Sequence, residues 1–136
     1  MKINGLGKIF LMIAVTALLT ACSDEQLYVD DLRRIAKDVN EKCPRMVDSE
    51  TRLDGLEVRE PNTLVYQYTL VNVHLMPADT HQFFQSLWPG LISFVKLNKE
   101  MSKLRDNGTS IYYEYKDKSD KVVYTIKIRP EDYTKP

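Results

Sequence analysis

Two cysteines, two histidines and eight tyrosines are the residues of this 136-residue chain with the most chemistry to offer. A thiol nucleophile needs a base within hydrogen-bond reach, and Cys43 could be paired with His74 or His81. Cys43 falls, however, at the C-terminal end of an expected helix, where the dipole's negative pole opposes thiolate formation. Its position suits a small buried hydrophobe better than a reactive thiol or one bridged to another chain. His74 and His81 stand seven positions apart with no cysteine near either, which matches no metal-ligand spacing. Five glycines are scattered singly, so no phosphate-cradling loop is expected. These residues point to no enzyme, no bound metal and no cofactor.

The other cysteine has a different context. Lys2 and Lys8 precede an apolar run from Ile9 to Leu19, and Leu19-Thr20-Ala21-Cys22 follows directly. The run has the length of a secretory h-region and falls short of the ~20 residues that span a bilayer. Leu19-Thr20-Ala21-Cys22 resembles the lipobox of bacterial lipoproteins. The resemblance implies cleavage before Cys22, a diacylglycerol on its thiol, and a membrane anchor through that lipid. Residues 1–21 are then a lipoprotein signal peptide, and 22–136 a single lipid-anchored domain. Residue 23 is Ser rather than Asp, which by the same resemblance implies the periplasmic face of the outer membrane in a Gram-negative cell. Lipidation of Cys22 would leave Cys43 without an intrachain disulfide partner, so the domain must stand on its core.

Composition bounds the domain further. Hydrophobic residues make up 43% and charged residues 28%, a globular balance. Loss of Lys2 and Lys8 takes the 19 basic residues to 17 against 19 acidic ones, a net of about −2. No basic excess exists to hold a phosphate backbone, so no nucleic-acid partner is expected.

The elements that position these residues follow from periodicity. Tyr28, Leu32, Ile35, Ala36 and Val39 form one stripe of a helix over 24–42, with Ser23 and Gln26 spaced as a capping box and Pro44 as the stop. Asp30/Arg34, Arg34/Asp38 and Lys37/Glu41 are spaced as ion pairs on its wet side. Because the helix starts next to Cys22, the domain should sit close to the membrane surface. Thr51 to Val58 alternates but slips phase at Gly55, as a bulge would require. Glu60-Pro61-Asn62 reads as a turn, and Thr63 to Leu75 as a central strand.

Asp79 with Gln82 can cap a second helix, whose residues Phe83, Phe84, Leu87, Trp88, Leu91, Ile92, Phe94 and Val95 fill a half-circle. The phase continues through Pro89-Gly90, which predicts one kinked helix. A helical turn or two over Lys99–Asp106 ends at Asn107-Gly108. Strands around Ile111–Tyr115 and Val122–Ile128 flank a charged turn at 116–121, and the residues after Pro130 read as frayed. Six of the eight tyrosines fall in strands, which suits half-buried pleated surfaces or a recognition face.

The order α-β-β-α-β-β predicts an α+β fold: one antiparallel four-stranded sheet with helices packed on one face. The open face should carry Tyr112, Glu114, Lys127 and Arg129. A half-circle of apolar residues is wider than one sheet contact needs. Phe84, Trp88, Leu91 and Ile92 are therefore candidates to line a groove between helix and sheet.

In element order, and in Gly108-Thr109-Ser110-Ile111-Tyr112 with its return strand Val123-Tyr124-Thr125-Ile126, the domain resembles small Gram-negative lipoproteins. Among them it is similar to one class of type II secretion pilotins. Those pilotins are outer-membrane lipoproteins that bind a helix of the secretin in a groove, through a fold with a cysteine pair joining the long helix to the C-terminus. Here the long helix has no cysteine and Tyr133 stands near the end, so no binding residue carries across. The resemblance implies a non-enzymatic module that binds one envelope protein or peptide. The alternative is an immunity, inhibitor or exclusion lipoprotein acting against a toxin, phage or conjugating plasmid through a loop such as 60–62 or 116–121.

Overall fold

A computed structural model of the chain describes residues 24–74 and 77–134. The segment expected to be a signal peptide, Cys22, and Ser23, expected as a helix cap, lie outside the described residues. Helix α1 runs over 24–40 and buries Val29, Leu32 and Ala36, with Tyr28, Ile35 and Val39 half-buried beside them. This is the expected stripe with Val29 added. Its ion pairs differ from those the spacing suggested. Arg33 reaches Asp30 at 2.8 Å and Arg34 reaches Asp31 at 2.7 Å, both across three residues. Asp31 also takes Lys103 at 2.6 Å, so the partner of Arg34 is Asp31 in place of Asp30 or Asp38.

Five strands follow: β1 (Arg45–Met46), β2 (Thr51–Arg59), β3 (Thr63–Leu70), β4 (Ser110–Lys116) and β5 (Val122–Ile128). They lie in the order β1-β2-β3-β4-β5. The expected four-stranded antiparallel sheet is corrected on two counts. A two-residue strand, β1, pairs with Arg52 and Leu53, and the β3–β4 pair at the centre is parallel. The reason is mechanical. Helix α2 (Pro77–Leu97) connects β3 to β4, and its 21 residues extend ~30 Å. That returns the chain along the full length of an eight-residue strand, so β4 starts at the end where β3 began.

Three elements complete the chain: a 3₁₀ turn (Lys99–Met101), α3 (Ser102–Asp106) and α4 (Pro130–Thr134). The first two are the short helical turns expected before Asn107-Gly108, and Gly108 adopts a φ of 62°. The third corrects the reading of a frayed tail. Tyr133 is buried, and its hydroxyl donates to the Thr109 carbonyl at 3.0 Å.

The bulge stands where the sequence put it, with the β2–β3 register shifting between Leu53 and Gly55. The strands then present Leu53, Leu56, Leu64, Leu70, Ile111, Tyr113, Tyr115, Ile126 and Ile128 to one core. Leu32 and Ala36 of α1 and Phe84 and Val95 of α2 join that same core, which places both long helices on one face. The other face is a polar lattice. Arg59 bridges Glu57 at 2.7 Å and Glu114 at 3.2 Å, Gln67 donates to Glu57 at 3.1 Å, and Lys127 lies over the Tyr112 ring.

Candidate functional site

Helix α2 opens at Pro77, whose missing N–H costs nothing in a first turn. Asp79 therefore lies inside the helix rather than at its cap. The helix continues through Pro89 to Leu97 as one element. At its far end the Arg105 guanidinium donates to the carbonyls of Val95 at 2.6 Å and Asn98 at 2.8 Å, closing groups that would otherwise be orphaned. The helix is thus fixed at its C-terminal end and lies against β5.

Its inner face meets the aromatic side of the sheet. Phe84 is 1% exposed, stacks on Tyr124 with ring centroids 4.5 Å apart, and tilts against Tyr115 at 4.8 Å. One turn on, Trp88 is half-buried. Between this part of α2 and β5 runs a groove of about 580 Å³, lined by Phe84, Gln85 and Trp88 on one wall and by Tyr124, Thr125, Ile126 and Lys127 on the other. Pro89 has no N–H to give the Gln85 carbonyl, which leaves an acceptor on the helix wall without its usual intrahelical donor. The Lys127 ammonium sits 5.4 Å from the Tyr112 ring centroid.

Of the four residues named for a groove, the structure brings Phe84 and Trp88 to it. Leu91 and Ile92 lie further along α2, half-buried and packed against the core, and are not among its lining residues. The wall made by β5 is not legible in the sequence. Its alternation was visible, but that β5 is an edge strand follows only from strand order. On the other side of α2, Phe83 and Leu87 line a smaller cleft of about 300 Å³ with Val47, Tyr68 and Tyr115.

The remaining candidates lie apart from the groove or at its margin. Cys43 is a free, half-buried thiol packed against the core. His74 is exposed, with Nδ1 3.9 Å from Asp117. The hydroxyl and backbone amide of Ser119 hold the Asp117 carboxyl below the usual carboxylate range. His81 is exposed and meets Tyr124 edge-on at 6.5 Å. Among the described residues no group of three His, Cys, Asp or Glu is placed to hold a metal. Among them also, no helix is long and apolar enough to cross a membrane.

Fold and groove together define a class: a small α+β domain with both long helices on one face of a mixed sheet and a half-polar groove at its β5 edge. The chain belongs to the family described as "Domain of unknown function (DUF8479)", whose model matches residues 26–125. No curated protein matches the sequence significantly. Among solved structures, a candidate secreted protein of Pseudomonas aeruginosa is 19% identical with a TM-score of 0.68, covering 79% of this chain and 94% of its own. EpsS, the pilotin of the Vibrio vulnificus type 2 secretion system, is 8% identical with a TM-score of 0.58, over 82% and 92% of the two chains. The type II secretion pilotin AspS of Vibrio cholerae is 14% identical with a TM-score of 0.58, over 82% and 98%. At these identities the likeness is one of fold, and the similarity to pilotins is present at that level.

Proposed function

We propose that this protein is a non-enzymatic binding module of the bacterial envelope, pilotin-like, that holds a segment of one envelope protein in the groove between α2 and β5. The observation that carries the reading is the groove itself. It sets an almost fully buried Phe84 and a half-buried Trp88 opposite an edge strand, in a fold shared with two pilotins. An apolar wall with a few polar groups along one side suits a polypeptide segment. The domain is residues 22–136, tethered by a lipid on Cys22 to the periplasmic face of the outer membrane. The Leu19-Thr20-Ala21-Cys22 sequence supports that tether, and α1, already formed at residue 24, keeps the domain near the bilayer.

Two measurements test this. Radiolabelled palmitate should enter the wild-type protein and not a Cys22→Ser variant, which should move to the soluble fraction. Photo-crosslinkers at Gln85 and Lys127 should capture one discrete envelope protein, and Trp88→Asp should abolish capture while circular dichroism stays native. Equal capture by a folded Trp88→Asp protein removes the groove from the function.

A further inference from the structure

The two edges of the sheet are treated differently. At the β2 edge, β1 pairs with Arg52 and Leu53. Further along, the Asn40 side chain stands in for a strand: its amide donates to the Leu56 carbonyl at 2.9 Å and its oxygen accepts from the Leu56 N–H at 2.7 Å. Among the described residues no such cover exists at β5. This seven-residue strand ends the sheet, and among the described residues no turn, cap or side-chain hydrogen bond reaches its backbone. An uncovered edge presents a row of N–H and C=O groups ready to pair.

The groove runs along that row. Side chains alternate between the two faces of a strand, so a cleft that touches Tyr124, Thr125, Ile126 and Lys127 in succession follows the edge of β5 and not one of its faces. An extended segment laid there gains main-chain hydrogen bonds from β5 and drops every second side chain against Phe84 and Trp88. Charge narrows the choice. β5 contains no acidic residue, and among the described residues neither Lys121 nor Lys127 has a carboxylate within ion-pair distance. Lys127, on the groove wall, is set over a ring instead.

We propose that β5 takes an extended, acidic–apolar segment of a partner protein as a sixth strand, with apolar side chains on Phe84 and Trp88 and a carboxylate against Lys127. This rests on the groove being the binding site, and it replaces the helical ligand that the pilotin resemblance implies with a strand.

The test is selection of short random peptides, displayed on their encoding RNA, against the protein purified with its native N-terminus. Hydrogen exchange of the complexes with the best binders then maps the site. Enriched peptides should alternate apolar with polar residues and carry Asp or Glu, and should protect backbone amides within 124–127. N-methylation of alternate peptide amides should weaken binding by ~10-fold or more when it falls on the β5 side, and little on the other. Lys127→Glu should weaken it by roughly 5-fold while circular dichroism stays native. Binders with helical periodicity that occupy the groove and tolerate N-methylation overturn the strand proposal while leaving the groove in place. Binders that protect another surface, or no enrichment at all, overturn both.

Discussion

Gly55 is small for a reason that lies outside its own strand. A Cβ built on it would stand 2.8 Å from Asn40 Oδ1, the atom that accepts from the Leu56 N–H. The bulge at this position and the last turn of α1 therefore share one contact. Gly55→Ala would push the Asn40 amide off the edge and leave both Leu56 backbone groups without partners, at a cost of about 1–3 kcal/mol. Asn40→Ala would remove the same two bonds directly, at a similar cost. The double variant separates this from a general dislike of a side chain in the bulge. With Asn40 already truncated, the added methyl meets open space, so Gly55→Ala should cost less than ~0.5 kcal/mol there. Urea midpoints of the four proteins give the coupling, and additive costs would place the clash elsewhere.

Among the elements, those with strong periodicity were legible and those defined by partners were not. α1, α2, the bulged β2 and the β4–β5 hairpin could be drawn from residue types, because burial on one side writes a period into the sequence. β1 has two exposed residues and no period, so only its pairing makes it a strand. The parallel centre was illegible because β3 and β4 alternate alike whichever way they run. Half of the groove was visible, in Phe84 and Trp88, and the other half depended on β5 being an edge. The five-residue α4 is the clearest miss, since a short terminal segment after a proline reads as a tail. It is a clamp instead. Tyr133 reaches the carbonyl of Thr109, whose hydroxyl meets the Tyr28 hydroxyl of α1, so α4 and α1 converge on one buried residue just ahead of β4. Tyr133→Phe should cost about 1 kcal/mol for the lost hydrogen bond, and Tyr133→Ala about 3–5 kcal/mol for the cavity added to it. A frayed tail would show neither effect in chemical denaturation.

At the scale of the whole molecule, the parallel centre of the sheet sets tyrosines side by side. Tyr66 pairs with Tyr113 and Tyr68 with Tyr115, and the rings stack at 5.3 and 5.4 Å. The helices bury this layer, so water that would solvate a phenolate is excluded. Burial pushes Tyr66 and Tyr115 up to about 12 and raises Tyr113 as well, each from an ordinary value of 10.0. The Tyr113 hydroxyl has no hydrogen-bond partner among the described residues, which leaves nothing to stabilise its ionised form. The consequence for stability has a definite sign. Below pH 10 these phenols are protonated in both folded and unfolded chains and contribute no pH dependence. Between pH 10 and 12 the unfolded chain has released protons that the folded chain still holds, so the unfolded state binds fewer and stability falls as pH rises. Tyr66 and Tyr115 each contribute a slope of about 1.4 kcal/mol per pH unit in that window. Two such slopes over two units are comparable with the roughly 5–15 kcal/mol that holds a domain of this size together. The protein should therefore show an unchanged urea midpoint from pH 7 to 9 and a steep loss between 10 and 12. Tyr66→Phe should flatten that loss by about 1.4 kcal/mol per pH unit whatever it does to stability at neutral pH. A midpoint that stays level through pH 12 would mean that the tyrosine layer is open to water, and that the helices do not seal the sheet.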